Sequence, residues 1–228
     1  MGIHDGHRSR IRESYTEHGL DSFNDINALE LLLFYCIPRK DTNELAHRLL
    51  EHFGSLYAVI NASLEDLMDV PGISYNSAVL ITLIPQIMKK SEVSRTKDIK
   101  TINNSSDAAK FLIPRFMNEQ DEVLLMLCLD NKRSIICCKE IARGTVDSVD
   151  ASSRRIAETA LKQKAAAVII SHNHPEGIAA PSREDDFVTK NIYKALYAVG
   201  IELDDHIIIA GEKYFSLAKE GFMSMMRY

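Results

Sequence analysis

The segment from Ala165 to Asp185 constrains the fold more than any other part of the chain. Ala165-Ala166-Ala167-Val168-Ile169-Ile170 is a short apolar run of the kind that forms a buried strand. It leads straight into Ser171-His172-Asn173-His174, so two histidines fall at or just past the strand's end, and residues two apart on a strand share one face. After a Pro175-Glu176-Gly177 turn, Pro181-Ser182 marks a helix start, with Phe187, Ile192, Leu196 and Val199 forming an apolar stripe beyond it. Asp185 then stands in the first turn of that helix, facing back toward the strand end. Two imidazole nitrogens and a carboxylate at one point form a zinc-binding set, with metal–nitrogen distances of about 2.0–2.1 Å. Three protein ligands, His172, His174 and Asp185, leave a fourth position for water, as in catalytic rather than structural zinc sites. One Zn2+ per chain is therefore expected.

Plainer readings of the same residues stand beside this one. Ser182-Arg183-Glu184-Asp185 resembles a capping box with Asp in place of the usual Glu, and Pro175-Glu176-Gly177 reads as a simple turn. Asp186 competes with Asp185 for the ligand role, and spacing alone does not separate them.

The apolar pattern changes near residue 91. Before it, Leu29 to Phe34, Leu45 to Phe53, Leu56 to Ile60, Leu64 to Val70 and Ala78 to Met88 give helical stripes broken by Pro38, Gly54 and Pro71-Gly72. After it the pattern is mixed: a helix over Ala108 to Met117, a hairpin of Val123 to Asp130 with Ser134 to Ile141, and a helix from about Ser153 to Lys164. The metal-site strand, the helix after Ser182, and strands at Ile201 to Ala210 and Tyr214 to Leu217 follow. The expected organisation is an all-α helical domain over 1–90, a polar linker over 91–104, and a mixed α/β domain over 105–228, an α+β chain in which a mixed sheet is flanked by helices.

With 228 residues, 46% of them hydrophobic, the chain can bury a core in one large domain or two small ones. Met1 to Gly19 is polar, with His and Arg where a secretory leader would be apolar, and Leu29 to Ile37 and Val123 to Leu129 are too short to cross a bilayer. Cys36, Cys128, Cys137 and Cys138 lack zinc-ribbon spacing and read as reduced thiols. A cytoplasmic enzyme without membrane association is expected.

His172-x-His174, seven residues, then Ser182-x-x-Asp185 resembles the JAMM motif of the JAB/MPN metalloproteases. Pro175, Gly177, Pro181 and Ser182 resemble its bacterial RadC branch, as do Arg143-Gly144-Thr145, Leu203 to Ile209, Gly6-His7-Arg8, Leu29 to Leu33, Pro38 to Asn43 and Phe53 to Leu56. The resemblance covers nearly the whole chain. It implies a JAB/MPN domain of cytidine-deaminase-like fold and a zinc-dependent peptidase or isopeptidase acting on a peptide or protein substrate. It also implies that Glu140, four residues before Gly144, is the general base, passing a proton from zinc-activated water to the leaving amine. Without the family, Glu140 reads as an exposed strand-end carboxylate. Ser182 gains a second implied role, donating to the oxyanion, beside that of helix cap. Arg143 reads as a solvated surface charge. His206, beside Asp204 and Asp205, reads as a strand-end histidine with a local hydrogen bond, the other reading being support for a ligand.

A second motif suggests a different class of function. Leu67 to Ala78 resembles a helix-hairpin-helix, whose Gly-containing turn offers backbone N–H groups to a DNA phosphate, giving a weak DNA contact through Gly72. The alternative function is accordingly a DNA-associated protein of repair or recombination, a binding module or a metal-dependent nuclease. Ser74 stands where the motif's second Gly is usual. Residues 1–100 hold 11 Lys and Arg against 14 Asp and Glu, the wrong balance for a nucleic-acid module. Arg8, Arg10 and Arg12 with His4 and His7 form either a local basic patch or an ordinary helix face.

Overall fold

The computed structural model describes residues 3–38, 40–144, 149–175 and 177–225. Arg39, Thr145 and Glu176, named above within motifs, lie outside the described residues, as does the side chain of His4. The chain divides into two compact units, Met1–Met88 and Lys89–Tyr228.

The first unit is helical: α1 Ile3–His18, α2 Asp25–Leu33, α3 Asn43–Phe53, α4 Leu56–Asn61, α5 Leu64–Met68 and the first part of α6, Tyr75–Arg95. The two shortest helices start where a serine hydroxyl takes up a free backbone amide, Ser55 from Ala58 and Ser63 from Asp66. Leu29, Leu33, Leu49, Val59, Leu67 and Ile81 close the core, each at most 1% exposed. Arg8 is not part of a free basic patch. It is buried, stacks over Phe34, and donates to the carbonyls of Ile37, Pro38 and Lys40. His7 meets the buried carboxylate of Glu30, which also accepts from Asn43. These polar groups tie α1 to α2 and to the segment before α3. In the hairpin-like segment, Gly72 has φ +101° and packs against Leu45, while the Ser74 hydroxyl accepts from Ser77 N at 3.2 Å and so caps α6. The serine in place of the usual glycine thus serves the helix.

The segment 91–104, expected as a linker, is ordered by neighbours that its sparse apolar residues do not advertise. Its first residues prolong α6, supported by the Glu92–Arg95 pair one turn apart. Its later part belongs to the second unit, where Ile102 is buried, Ile99 packs beside it, and Thr101 bridges to Ser134.

The second unit continues with α7 Ser105–Leu112, a 3-10 turn Ile113–Phe116, β1 Val123–Leu129, β2 Ile135–Arg143, α8 Val149–Lys162, β3 Ala167–Asn173, α9 Arg183–Ala198, β4 Glu202–Ala210, β5 Lys213–Ser216 and α10 Phe222–Met225. The five strands form one mixed sheet in the order β2-β1-β3-β4-β5, antiparallel except for the β3–β4 pair joined through α9. Strand alternation splits the side chains between two faces. Leu124, Met126, Cys128, Val168 and Ile170 pack against Ile156 and Ala160 of α8 and Ile192 and Leu196 of α9. Leu125, Leu127, Leu129, Ala167 and Ile169 pack against Phe111 and Leu112 of α7 and against Phe116. The central strands are covered on both sides, and so β1 and the Ala167–Ile170 part of β3 read as unbroken apolar runs. Among the described residues, no helix is long and apolar enough to cross a membrane, and the four cysteines are free.

Candidate metal centre

His172 is even-numbered like Val168 and Ile170, so it stands on the α8/α9 face at the end of β3, and His174 follows just beyond the strand. Ser182 caps α9 across from them. Its hydroxyl accepts from Asp185 N at 3.1 Å, while its own amide and hydroxyl both donate to Asp185 Oδ2 at 2.7 Å. This is the capping box read from the sequence, and it aims the aspartate at the strand end. The Nε2 atoms of His172 and His174 lie 3.0 Å apart, and Asp185 reaches them with Oδ1 at 3.0 Å and Oδ2 at 3.7 Å. One donor atom from each of the three lies within 4.8 Å of the others. Asp185, not Asp186, is the carboxylate in this group.

Each imidazole is engaged on its far side. His174 Nδ1 is 3.0 Å from the carbonyl of Ile178, and His172 Nδ1 is 2.8 Å from Nε2 of His206. His206 in turn meets the Thr189 hydroxyl, which donates to the Asp185 backbone carbonyl. The expectation of a merely local bond for His206 is therefore corrected: the residue is 1% exposed in mid-strand and supports His172 directly. Burial, and then the neighbouring His172, push its pKa well below the ordinary value, so it is neutral. Neither neighbouring aspartate competes for the site. Asp204 pairs with Arg133, and Asp205 accepts from Ser216 and Ala218. With both Nδ1 atoms turned outward, two nitrogens and a carboxylate converge on one point, a set that fits a zinc ion. Gly177 closes the turn over His174, and a Cβ there would lie 2.9 Å from that of His174.

Glu140 is not brought to this group. A β-bulge at Ile141 changes the phase of β2, so that Ala142 is opposite Leu124 but Glu140 is opposite Leu125. Leu124 has His172 as its partner on the other side, whereas Leu125 packs on the opposite face of the sheet. Glu140 is held there by Arg143, through bonds of 3.1 and 2.9 Å, and Arg143 also binds Glu119. Arg143 is thus a paired residue rather than a free surface charge, and these bonds, first to Glu119 and then to Glu140, raise its pKa.

Another carboxylate does stand at the site. Glu122 immediately precedes β1, and continuing the alternation from Leu124 puts it on the His172 side of the sheet. It lines a cavity with His174, Gly177, Asp121 and Gly144. Asn173 pins this edge, accepting from Val123 N at 2.7 Å and donating to the Asp121 carbonyl at 2.9 Å. Sequence reading passed over Glu122 because only the β1–β3 pairing brings it near the histidines, and over the role of Asn173 because its partners, Val123 and Asp121, are distant in sequence.

Comparison with known proteins agrees with this architecture. Residues 102–222 match the family described as RadC-like JAB domain. A UPF0758 protein of Fusobacterium nucleatum is 36% identical over 96% of this chain and 97% of its own length. UPF0758 proteins of Ruegeria pomeroyi and Nitrosococcus oceani are 33% and 31% identical, over 95% and 94% of this chain and 97% and 96% of theirs.

Proposed function

We propose, from the premise that this chain belongs to the RadC family through its RadC-like JAB domain, that it is a zinc-dependent hydrolase of peptide or isopeptide bonds. One observation carries the reading: two imidazole Nε2 atoms and a carboxylate meet at one point beside an accessible cavity, leaving a further coordination position open. Zinc held there supplies Lewis acidity and lowers the pKa of a water molecule toward about 7. The chain's own residues do the rest. Glu122, exposed in the same cavity as His174, takes a proton from water and returns it to the leaving amine. Glu140, the base implied by resemblance, is the weaker candidate, since its carboxylate is already bound by Arg143. Ser182 holds Asp185 with both its backbone amide and its hydroxyl, and the amide alone keeps the carboxylate in place when the hydroxyl leaves Asp185 Oδ2 to donate to a developing oxyanion. DNA binding has less behind it, because Arg8 is spent on backbone carbonyls and cannot serve a phosphate.

The test is metal analysis of protein purified without chelators, followed by cleavage of a peptide library. Zinc is expected at one per chain, and His174→Ala loses it. Glu122→Gln keeps the metal and loses cleavage by about 10²–10⁴-fold, the usual contribution of a general base, while Glu140→Gln stays within a few-fold of wild type. No stoichiometric zinc would end the hydrolase reading. Full cleavage by Glu122→Gln would return the role of base to another group.

A further inference from the structure

We propose that Thr189 and His206 are positioning residues that dictate which nitrogen of His172 carries the proton, leaving Nε2 as the lone pair that faces the metal. The inference rests on the zinc reading above and deepens it. It follows from counting protons along one chain of contacts. Thr189 Oγ1 lies 2.5 Å from the backbone carbonyl of Asp185. Two oxygens that close need a proton between them, and a carbonyl has none to give, so the single hydroxyl proton of Thr189 points there. The 2.6 Å contact between Thr189 Oγ1 and His206 Nδ1 must then be made by the ring, with Nδ1–H donating to the hydroxyl oxygen. His206 is fully enclosed, its two ring nitrogens meet the Thr189 hydroxyl and the His172 ring, and the neighbouring carboxylates of Asp204 and Asp205 are bound elsewhere, so a single ring proton is the arrangement that leaves no unbalanced buried charge and its Nε2 is a lone pair. The 2.8 Å contact with His172 Nδ1 therefore draws its proton from His172. The last step fixes the tautomer of a residue that Thr189 never touches.

The same relay ties two of the three metal-facing groups together. It begins on the backbone of Asp185 in α9, passes through β4, and ends on the His172 ring in β3, so helix, strand and tautomer are set by one string of hydrogen bonds. Donation from Nδ1 to an acceptor also makes the opposite nitrogen a stronger ligand. Thr189 is fully buried, and valine has nearly its shape, so the hydroxyl can be removed with little change of volume. In Thr189→Val, His206 loses its acceptor and can move its proton to Nε2. His172 then must turn its own lone pair toward His206 and its proton toward the metal.

The experiment compares wild type, Thr189→Val and Thr189→Ser in two ways, using zinc affinity by chelator competition and the ring-nitrogen NMR signals of His206 and His172. In wild type, with or without metal, His206 is expected to carry its proton on Nδ1. Thr189→Val should bind zinc about 10- to 100-fold more weakly, the usual effect of removing a group that supports a ligand. In that variant the Nδ1 proton of His206 is lost or shared, and Thr189→Ser restores both readouts. A purely structural role for the hydroxyl would lower the melting temperature without moving the tautomer. An Nε2 proton on His206 in wild type would overturn the relay, as would a Thr189→Val protein with unchanged spectrum and affinity. If wild type takes up no zinc, the hydrolase reading fails by itself, and the His206 signal still decides the relay.

Discussion

Replacing Gly177 by alanine should damage the metal centre without touching a ligand. The new Cβ would sit 2.9 Å from His174 Cβ, 3.5 Å from Cγ and 3.6 Å from Nδ1. Carbons rest no closer than about 3.5 Å, so the first contact is short by about 0.6 Å. The crowded atom is not the loose end of a side chain. His174 N donates to the Ile209 carbonyl at 2.8 Å, which anchors its backbone to β4, so relief must come from swinging the ring or opening the turn. Either movement strains the 3.0 Å bond from Nδ1 to the Ile178 carbonyl and carries Nε2 with it. Zinc–ligand distances tolerate only about 0.2 Å, so much of the contribution of His174 is lost. We expect zinc affinity to fall about 10- to 100-fold, or about 1.4–2.7 kcal/mol. Stability should fall by only about 1 kcal/mol, the low end for overpacking, because the turn lies at the surface with the His174 side chain 19% exposed. Chelator competition measures the first and thermal unfolding of metal-free protein the second. Ile178→Ala is the control, since its side chain is 77% exposed and only its backbone carbonyl holds His174. If Gly177→Ala bound zinc within about two-fold of wild type, the steric account of this turn would be wrong.

Two further outcomes test the units away from the metal. Arg8→Ala strips the charged donor from the carbonyls of Ile37, Pro38 and Lys40 and should destabilise the helical unit by about 3–5 kcal/mol in urea unfolding, the scale for breaking a buried charged contact, with Arg8→Lys between the two. A loss under about 1 kcal/mol would show those contacts to be dispensable. Burial pushes the thiols of Cys138 and Cys128 up to about 11 and about 12, from an ordinary 9.0. Because only the thiolate reacts, Cys138 at pH 8 should alkylate about a hundredfold more slowly than an unfolded cysteine, gaining about tenfold per pH unit below its pKa. Equal rates in native and urea-unfolded protein would contradict the burial.

The fold was legible where periodicity and punctuation agree. The hairpin around Asp130, the β3 strand and the Ser182 cap are each written in a few adjacent residues, and the structure has them within two or three residues of the expected ends. The end of α6 was not, because Ser91 to Arg95 has one apolar residue, Val93, and helix there depends on continuation from a preceding turn, with no stripe of its own. The order of segment 99–102 was hidden for a related reason: two isoleucines three apart make no pattern until the edge of the sheet that receives them exists.

The site divides along the same line. His172, His174, Ser182 and Asp185 are close in sequence, and one strand end and one helix start bring them together, so spacing was sufficient to group them. Both carboxylates weighed as base, Glu140 and Glu122, are distant in sequence, and placing them requires knowing which side of the sheet each faces. Alternation gives that answer only if the register is unbroken, since one extra residue reverses every side chain beyond it. Counting back from Arg143 along β2, the bulge at Ile141 introduces that extra residue, so Glu140 and Arg143, which strict alternation would put on opposite faces, share one and bind each other. Along β1 the count from Leu124 to Glu122 crosses no irregularity, and Glu122 keeps the face of His172. Which face Glu140 takes is therefore set by a single backbone defect that no residue type in Cys138 to Arg143 announces. Deleting Ile141 would make the ladder regular while leaving Glu140 opposite Leu125 and two residues from Arg143 on one face, so the Arg143–Glu140 coupling energy in a double-mutant cycle should stay at about a few tenths of a kcal/mol, and its fall to about zero would show that the bulge itself holds the pair.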